Sequence, residues 1–218
     1  MKIIDVQQGS PEWLRLRLGI PTASEFSKIV TPTGKLSKQS VKYANQLIAE
    51  ELMGEPIKDL NNLYWIERGK MLEPDAVQLY EFETGNKTIP VGFVTNDAGT
   101  IGASPDRFTN NGICLEIKCV APDNHVRNMV NGFDEKYKPQ VQGQLYVTEL
   151  EHAEWFSYHP DFPPVLRKID RDDAYIKLLH EALTQFVEMK AEMLEKIKKM
   201  SFYEDRQKGI ELSRMLGA

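Results

Sequence analysis

Apolar residues between positions 37 and 53 recur at the three- and four-residue spacing of one helix face: Val41, Ala44, Leu47, Ile48 and Leu52. The segment predicts an amphipathic helix with that face on the core. The same period returns over residues 66–83, where Leu72, Ala76, Leu79, Tyr80 and Phe82 precede a Thr84-Gly85-Asn86 stop. Ahead of both, Ser10 as N-cap and Pro11 at the first helical position predict a helix over 11–18. Thr22 and Glu25 have the spacing of a capping box and predict a second short helix.

Beyond Asn86 the pattern shortens to β-rich runs at 89–95, 100–103 and 113–119, separated by Asn96-Asp97 and Asn110-Asn111-Gly112. These runs predict a strand meander. A helix follows from about Pro139, carrying Val141, Leu145 and Tyr146, then strands at 153–158 and 165–169, and a long helix over 172–200 with one charged face. The order predicts an α/β (α+β) fold, a mixed central sheet with helices on both sides. One domain over 1–218 is expected, with a tail after about 201 to which no role is assigned.

Composition narrows the class. Hydrophobic residues are 41% and charged residues 27% of the chain, the balance of an ordinary globular protein. No apolar run is long enough to span a membrane and no export leader is indicated, so a cytoplasmic protein without membrane contact is expected. Cys114 and Cys119 fall on opposite faces of one strand and cannot bridge each other. The four histidines are too scattered for a linear zinc motif, and the phosphate-cradling glycine loops are missing, so no nucleotide cofactor is expected. A net charge of −5 argues against a protein that coats nucleic acid. It leaves room for a nuclease, whose metal site needs carboxylates.

The segment Gly112-Ile113-Cys114-Leu115-Glu116-Ile117-Lys118-Cys119 carries the chemistry. On a strand, Cys114, Glu116 and Lys118 share one face, and Glu116 and Lys118 lie about 6 to 7 Å apart at about 3.3 Å per residue. Ten residues before Glu116, Ser104-Pro105-Asp106 ends the preceding strand, and a hairpin through 110–112 brings Asp106 beside Glu116. Two converging carboxylates suit a hard divalent ion such as magnesium, which takes one or two carboxylates and completes its shell with water and phosphate. Such an ion polarises a phosphodiester, and Lys118 can orient the attacking water. The pair alone also reads as a surface ion pair; Glu188-Met189-Lys190 has the same spacing on the charged C-terminal helix.

Several motifs in order resemble the PD-(D/E)xK nucleases, and among them the phage lambda exonuclease family of viral recombination nucleases. They are the stretch Trp13-Leu14-Arg15-Leu16-Arg17-Leu18-Gly19-Ile20-Pro21-Thr22-Ala23-Ser24, then Gly69-Lys70-Met71-Leu72-Glu73-Pro74, Ser104-Pro105-Asp106, Glu116-Ile117-Lys118-Cys119 and Gln140-Val141-Gln142. The resemblance implies a restriction-endonuclease-like fold and a processive 5′→3′ exonuclease on linear double-stranded DNA that leaves 3′ overhangs for recombination. It implies Mg2+, with Mn2+ able to substitute, bound by Asp106, Glu116 and the carbonyl of Ile117. Lys118 would serve the water, with Glu73 and Gln142 facing the site. Arg17, Thr22, Ser24 and Ser104 would hold a terminal 5′ phosphate, which a helix opening at Thr22 would favour; Lys28, Lys35 and Lys38 are the alternative anchors.

Arg68 departs from the aromatic residue the family often has there, while Trp65 or Ile66 reads either as a wedge between strands at a DNA fork or as core. The resemblance further implies a ring-shaped homotrimer around DNA and a single-strand annealing protein as partner. A structure-specific endonuclease and a non-catalytic DNA-end binding protein with the same fold are the alternatives.

Overall fold

The computed structural model describes residues 1–57 and 63–200, apart from the side chains of residues 63 and 66. The elements run β1 (Lys2–Ile4), α1 (Pro11–Leu16), a 3-10 turn (Ala23–Lys28), α2 (Ser40–Met53), α3 (Leu63–Thr84), β2 (Thr88–Pro90), β3 (Phe93–Thr95), β4 (Gly102–Ala103), β5 (Arg107–Thr109), β6 (Cys114–Lys118), α4 (Pro122–Asn131), a second 3-10 turn (Glu135–Tyr137), α5 (Lys138–Thr148), β7 (His152–His159), β8 (Phe162–Asp170) and α6 (Asp173–Lys198).

The strands form a five-stranded sheet in the order β2-β5-β6-β7-β8 and a small sheet in the order β1-β3-β4. In the larger sheet β6 and β7 are parallel and every other pair is antiparallel. A parallel pair needs a long crossover, and α4 and α5 supply it. Helices cover both faces: Leu115, Ile117 and Phe156 pack with Ala76 and Tyr80 of α3, while Cys114 and Trp155 pack with Val141 and Leu145 of α5. A third cluster joins Phe26, Ala44 and Leu47 to Leu179, Leu183 and Phe186 of α6. Pro163 and Pro164 sit in β8, where an edge strand tolerates residues without an N–H.

Three expectations are corrected. The run 89–95 is two strands in two different sheets, so the β region is no simple meander. The break falls at Gly92, where a side chain would collide with the backbone of Ile4 and Val6; the N-terminal strand claims β3 by that close approach. Thr22 does not cap the turn after it, because its hydroxyl is engaged elsewhere, and the turn is 3-10 rather than α. Val41 and Phe82, counted on core faces, are 53% and 86% exposed; Tyr43 takes the place of Val41 in the core.

Candidate active site

β6 alternates as its sequence dictates, and Glu116 and Lys118 turn toward α5. The β5–β6 register pairs Arg107 with Leu115, and one step further along the ladder Asp106 stands across from Glu116. The tight turn that sets this register has Gly112 at φ 74, a conformation that favours glycine. Asp106 is fixed by the neighbouring strand: its Oδ2 accepts from the N–H of Ile117 at 2.6 Å. Behind it, Gln8 donates to the carbonyls of Pro105 at 2.8 Å and Val91 at 2.7 Å, tying down the approach to Asp106.

Glu116 is 3% exposed and both of its oxygens are engaged. Oε1 accepts from Lys118 Nζ at 2.6 Å and from Gln140 Nε2 at 2.5 Å, and Oε2 accepts from Gln144 Nε2. Three donors satisfy the hydrogen-bonding capacity of this buried carboxylate. Asp106 has less support. Burial raises its pKa well above the usual carboxylate range, the nearby Glu116 raises it further, and the charge of Lys118 offsets only part of this. Burial alone would lower the pKa of Lys118, but Glu116 and Asp106 outweigh it and hold the ammonium above its ordinary value. Both carboxylates therefore favour the charged form of Lys118.

Two carboxylates that disfavour each other's charge form a site that lacks positive charge, which fits a hard divalent cation. Among the described residues no group of three or more His, Cys, Asp and Glu is arranged to hold a metal ion; the fit rests on two carboxylates plus backbone oxygen. Glu73 on α3 lies near enough to raise the pKa of Asp106, and its Oε1 is 3.5 Å from Arg107 Nη2. Among the described residues Arg107 Nε is buried without a partner.

Gln142 does not face this site. Its amide nitrogen donates to the carbonyl of Asp170 at 2.9 Å and its oxygen accepts from the N–H of Asp172 at 2.9 Å, so it anchors the start of α6. Residues 140 and 144 share a helix face, and 142 lies some 200° round from 140 at about 100° per residue. Gln140 and Gln144 are thus the glutamines on Glu116. Their four-residue spacing was the available signal.

A second group forms where α1 and the first 3-10 turn meet β4. Arg17 Nη2 donates to Thr22 Oγ1 at 3.1 Å, Thr22 Oγ1 lies 3.3 Å from Ser24 Oγ, and Trp13 Nε1 donates to Ser104 Oγ at 3.0 Å. The Arg17 guanidinium stacks 3.9 Å above the Trp13 ring, joining the two pairs. A bridge between Thr22 and Gly102 brings the turn against β4. Gly143 lets α5 approach the same turn, since a side chain there would strike the Phe26 ring and Ala23. All four residues expected at a terminal phosphate are therefore brought together. The helix N-terminus invoked for them is only a six-residue 3-10 turn and contributes little dipole. Of the alternatives, Lys28 is paired with Glu25, and Lys35 and Lys38 are exposed.

A cleft of ≈ 330 Å³ is lined by Ser24 of the Arg17 group, by Gln140 beside Glu116, and by Ser27, Pro32, Lys136 and Tyr137. Trp65 is 45% exposed, with Tyr64 edge-on at 5.0 Å and Arg68 over its ring at 5.9 Å, so it is not a core residue. The expectation for Ile66 falls outside the described side chains. No helix among the described residues is long and apolar enough to cross a membrane.

Comparison with solved structures finds an alkaline exonuclease, LHK-Exo, from Laribacter hongkongensis at 28% identity and a TM-score of 0.79, covering 87% of this chain and 97% of that one. A complex of LHK-Exo with dAMP matches equally. A phage-related exonuclease from Haemophilus somnus 129PT shares the fold, with a TM-score of 0.66 and 16% identity over 82% of this chain and 96% of its own. No curated sequence matches. These neighbours bear out the expected fold class and support a nuclease. Residues 12–151 match the YqaJ-like viral recombinase domain, so that the protein belongs to this family, the lambda exonuclease family its motifs resemble.

Proposed function

We propose that the protein is a magnesium-dependent exonuclease that degrades linear double-stranded DNA 5′→3′ and leaves 3′ single-stranded overhangs for recombination. The observation that carries the reading is the convergence of Asp106, Glu116 and Lys118 at one end of β6, with Glu116 locked by three donors. Asp106, Glu116 and the carbonyl of Ile117 would hold Mg2+, or Mn2+ in its place; that carbonyl shares a strand edge with the N–H that reaches Asp106. Bound there, the ion would polarise the scissile phosphate and make a water more acidic. Glu73 would stand in the outer shell. Lys118 orients the attacking water and faces the negative charge that builds on the phosphate. Gln140 and Gln144 keep Glu116 in place throughout.

Arg17, Thr22, Ser24 and Ser104 bind the terminal 5′ phosphate, and the cleft lined by Ser24 and Gln140 lets one DNA end reach both groups. Trp65, exposed and stacked by Arg68, wedges the strands apart ahead of it. By resemblance the protein acts as a homotrimer around its DNA, works beside a single-strand annealing protein in the cytoplasm, and forms one nuclease domain over 1–218. Digestion of linear and covalently closed circular duplexes with magnesium tests the reading. Loss of the linear form alone, abolished by a chelator, is expected. Digestion of closed circles would make the protein an endonuclease instead.

A further inference from the structure

Lys118 is gripped from two sides. Its ammonium lies 2.6 Å from Glu116 Oε1 and 5.1 Å from the centre of the Tyr137 ring. A lysine on one ion pair can still swing, because its stem is flexible and an ammonium has no preferred plane. A ring face restrains it differently from a second carboxylate. The negative face of the ring attracts the cation without taking up any of its N–H donors, which remain available for Glu116 and for water. It also offers a metal ion no competing ligand.

Tyr137 reaches that position by local construction. Asp134 accepts from the N–H of Lys136 at 3.1 Å and opens the 3-10 turn that ends at Tyr137, and this turn runs straight into α5. Gln140 and Gln144 follow on the first turns of that helix. One stretch of chain therefore holds both members of the ion pair, with amides on the carboxylate and a ring at the ammonium. The ring is steadied by Trp155, 5.9 Å away, whose place on β7 is directly beside Glu116. Lys136 also lies over the ring, at 4.8 Å, but it is exposed at the rim and its charge is matched by Asp134 at 3.1 Å.

We propose that Tyr137 is a positioning residue for hydrolysis, its ring face holding the Lys118 ammonium against Glu116 so that Lys118 meets the attacking water in one orientation. The role assigned to Lys118 rests on the nuclease reading; the contact between ring and ammonium does not. The ring face is what matters and the hydroxyl is dispensable.

The test has a structural arm and a kinetic arm. In protein free of metal and DNA, the ε-CH2 proton resonances of Lys118, assigned with Lys118→Arg, should be shifted upfield by the ring in wild type and in Tyr137→Phe and should return to ordinary lysine values in Tyr137→Leu. On linear duplex with magnesium, Tyr137→Leu should lower kcat by about tenfold with KM within about twofold, because misplacing a reacting group costs turnover rather than affinity. Tyr137→Phe should keep kcat within about twofold of wild type. An unshifted Lys118 resonance in wild type overturns the proposal, and so does a Phe variant as impaired as the Leu variant. A loss lying wholly in KM also overturns it and makes Tyr137 a DNA contact. Should Tyr137→Leu fold poorly, the wild-type spectrum and the Phe variant still decide. A wild-type protein that cleaves no DNA removes the nuclease reading, and the spectra then decide the contact by themselves.

Discussion

The Asp106–Glu116–Lys118 cluster and the Arg17 group are held in opposite ways. Asp106 and Glu116 are fixed by a backbone N–H, by two amides of α5 and by an ammonium, on strands buried under helices. Arg17, Thr22, Ser24, Trp13 and Ser104 hold mainly one another, on a six-residue helix, a 3-10 turn and the end of a two-residue strand. The first arrangement keeps atoms still. The second can exchange an internal hydrogen bond for a ligand oxygen, since Arg17 donates one N–H to Thr22 and a guanidinium carries five. On the proposed function, chemistry that needs fixed geometry would sit on the sheet, and capture of an anion on the layer of α1 and the 3-10 turn.

This contrast can be broken first at Glu116. Glu116→Ala leaves Lys118, Gln140 and Gln144 without their common acceptor, and turnover should fall about a thousandfold, a loss of about 4 kcal/mol. Lys118→Ala should cost about a hundredfold in kcat while DNA affinity changes little. Single-turnover rates read beside gel-shift affinities check both, and an equal loss of affinity would turn Lys118 into a phosphate contact. At the Arg17 group the effect should be smaller and confined to the substrate end. Wild type should degrade 5′-phosphorylated duplex faster than 5′-hydroxyl duplex, and Arg17→Ala should lose about ten- to a hundredfold of that preference, the worth of a charge-assisted contact of about 1.5 to 3 kcal/mol. A variant that discriminates as well as wild type places the anchor elsewhere. Smallest of all in activity is Gln142→Ala. It should turn over within about twofold of wild type, yet lose about 1 to 3 kcal/mol of stability through the unpaired backbone of Asp170 and Asp172, and melt some 2 to 9 °C lower.

The same contrast governs how much was legible in the residues alone. Period-2 alternation put Glu116 and Lys118 on one side of β6, and the Asn110-Asn111-Gly112 turn put Asp106 opposite Glu116; both signals are local, and both are found in the structure. Gln140 and Gln144 were missed and Gln142 was misplaced: the four-residue spacing marks a shared face, but which face of α5 meets Glu116 is set by the turn at 134–137 and by its packing on β6 and β7. The division of 89–95 depends on the backbone of residues 4–6, some ninety positions away. The Arg17 group was reached through a resemblance of motifs. A helix dipole was invoked for it, and the observed turn is too short to supply one; the contacts that organise it are the Trp13 stack and the hydroxyls.

Parallel pairing of β6 with β7 also bears on the order in which the site is put together during synthesis. Residues 119–151 lie between the two strands, so β6 leaves the ribosome well before its central neighbour exists. A nascent chain that ends near residue 151 already contains Asp106, Glu116 and Lys118, but α5 still lacks Trp155, one of the residues it packs on. Domains fold as units once their distant contacts can close. The strand pair that carries Glu116 and Lys118 is therefore complete only once β7 has been made.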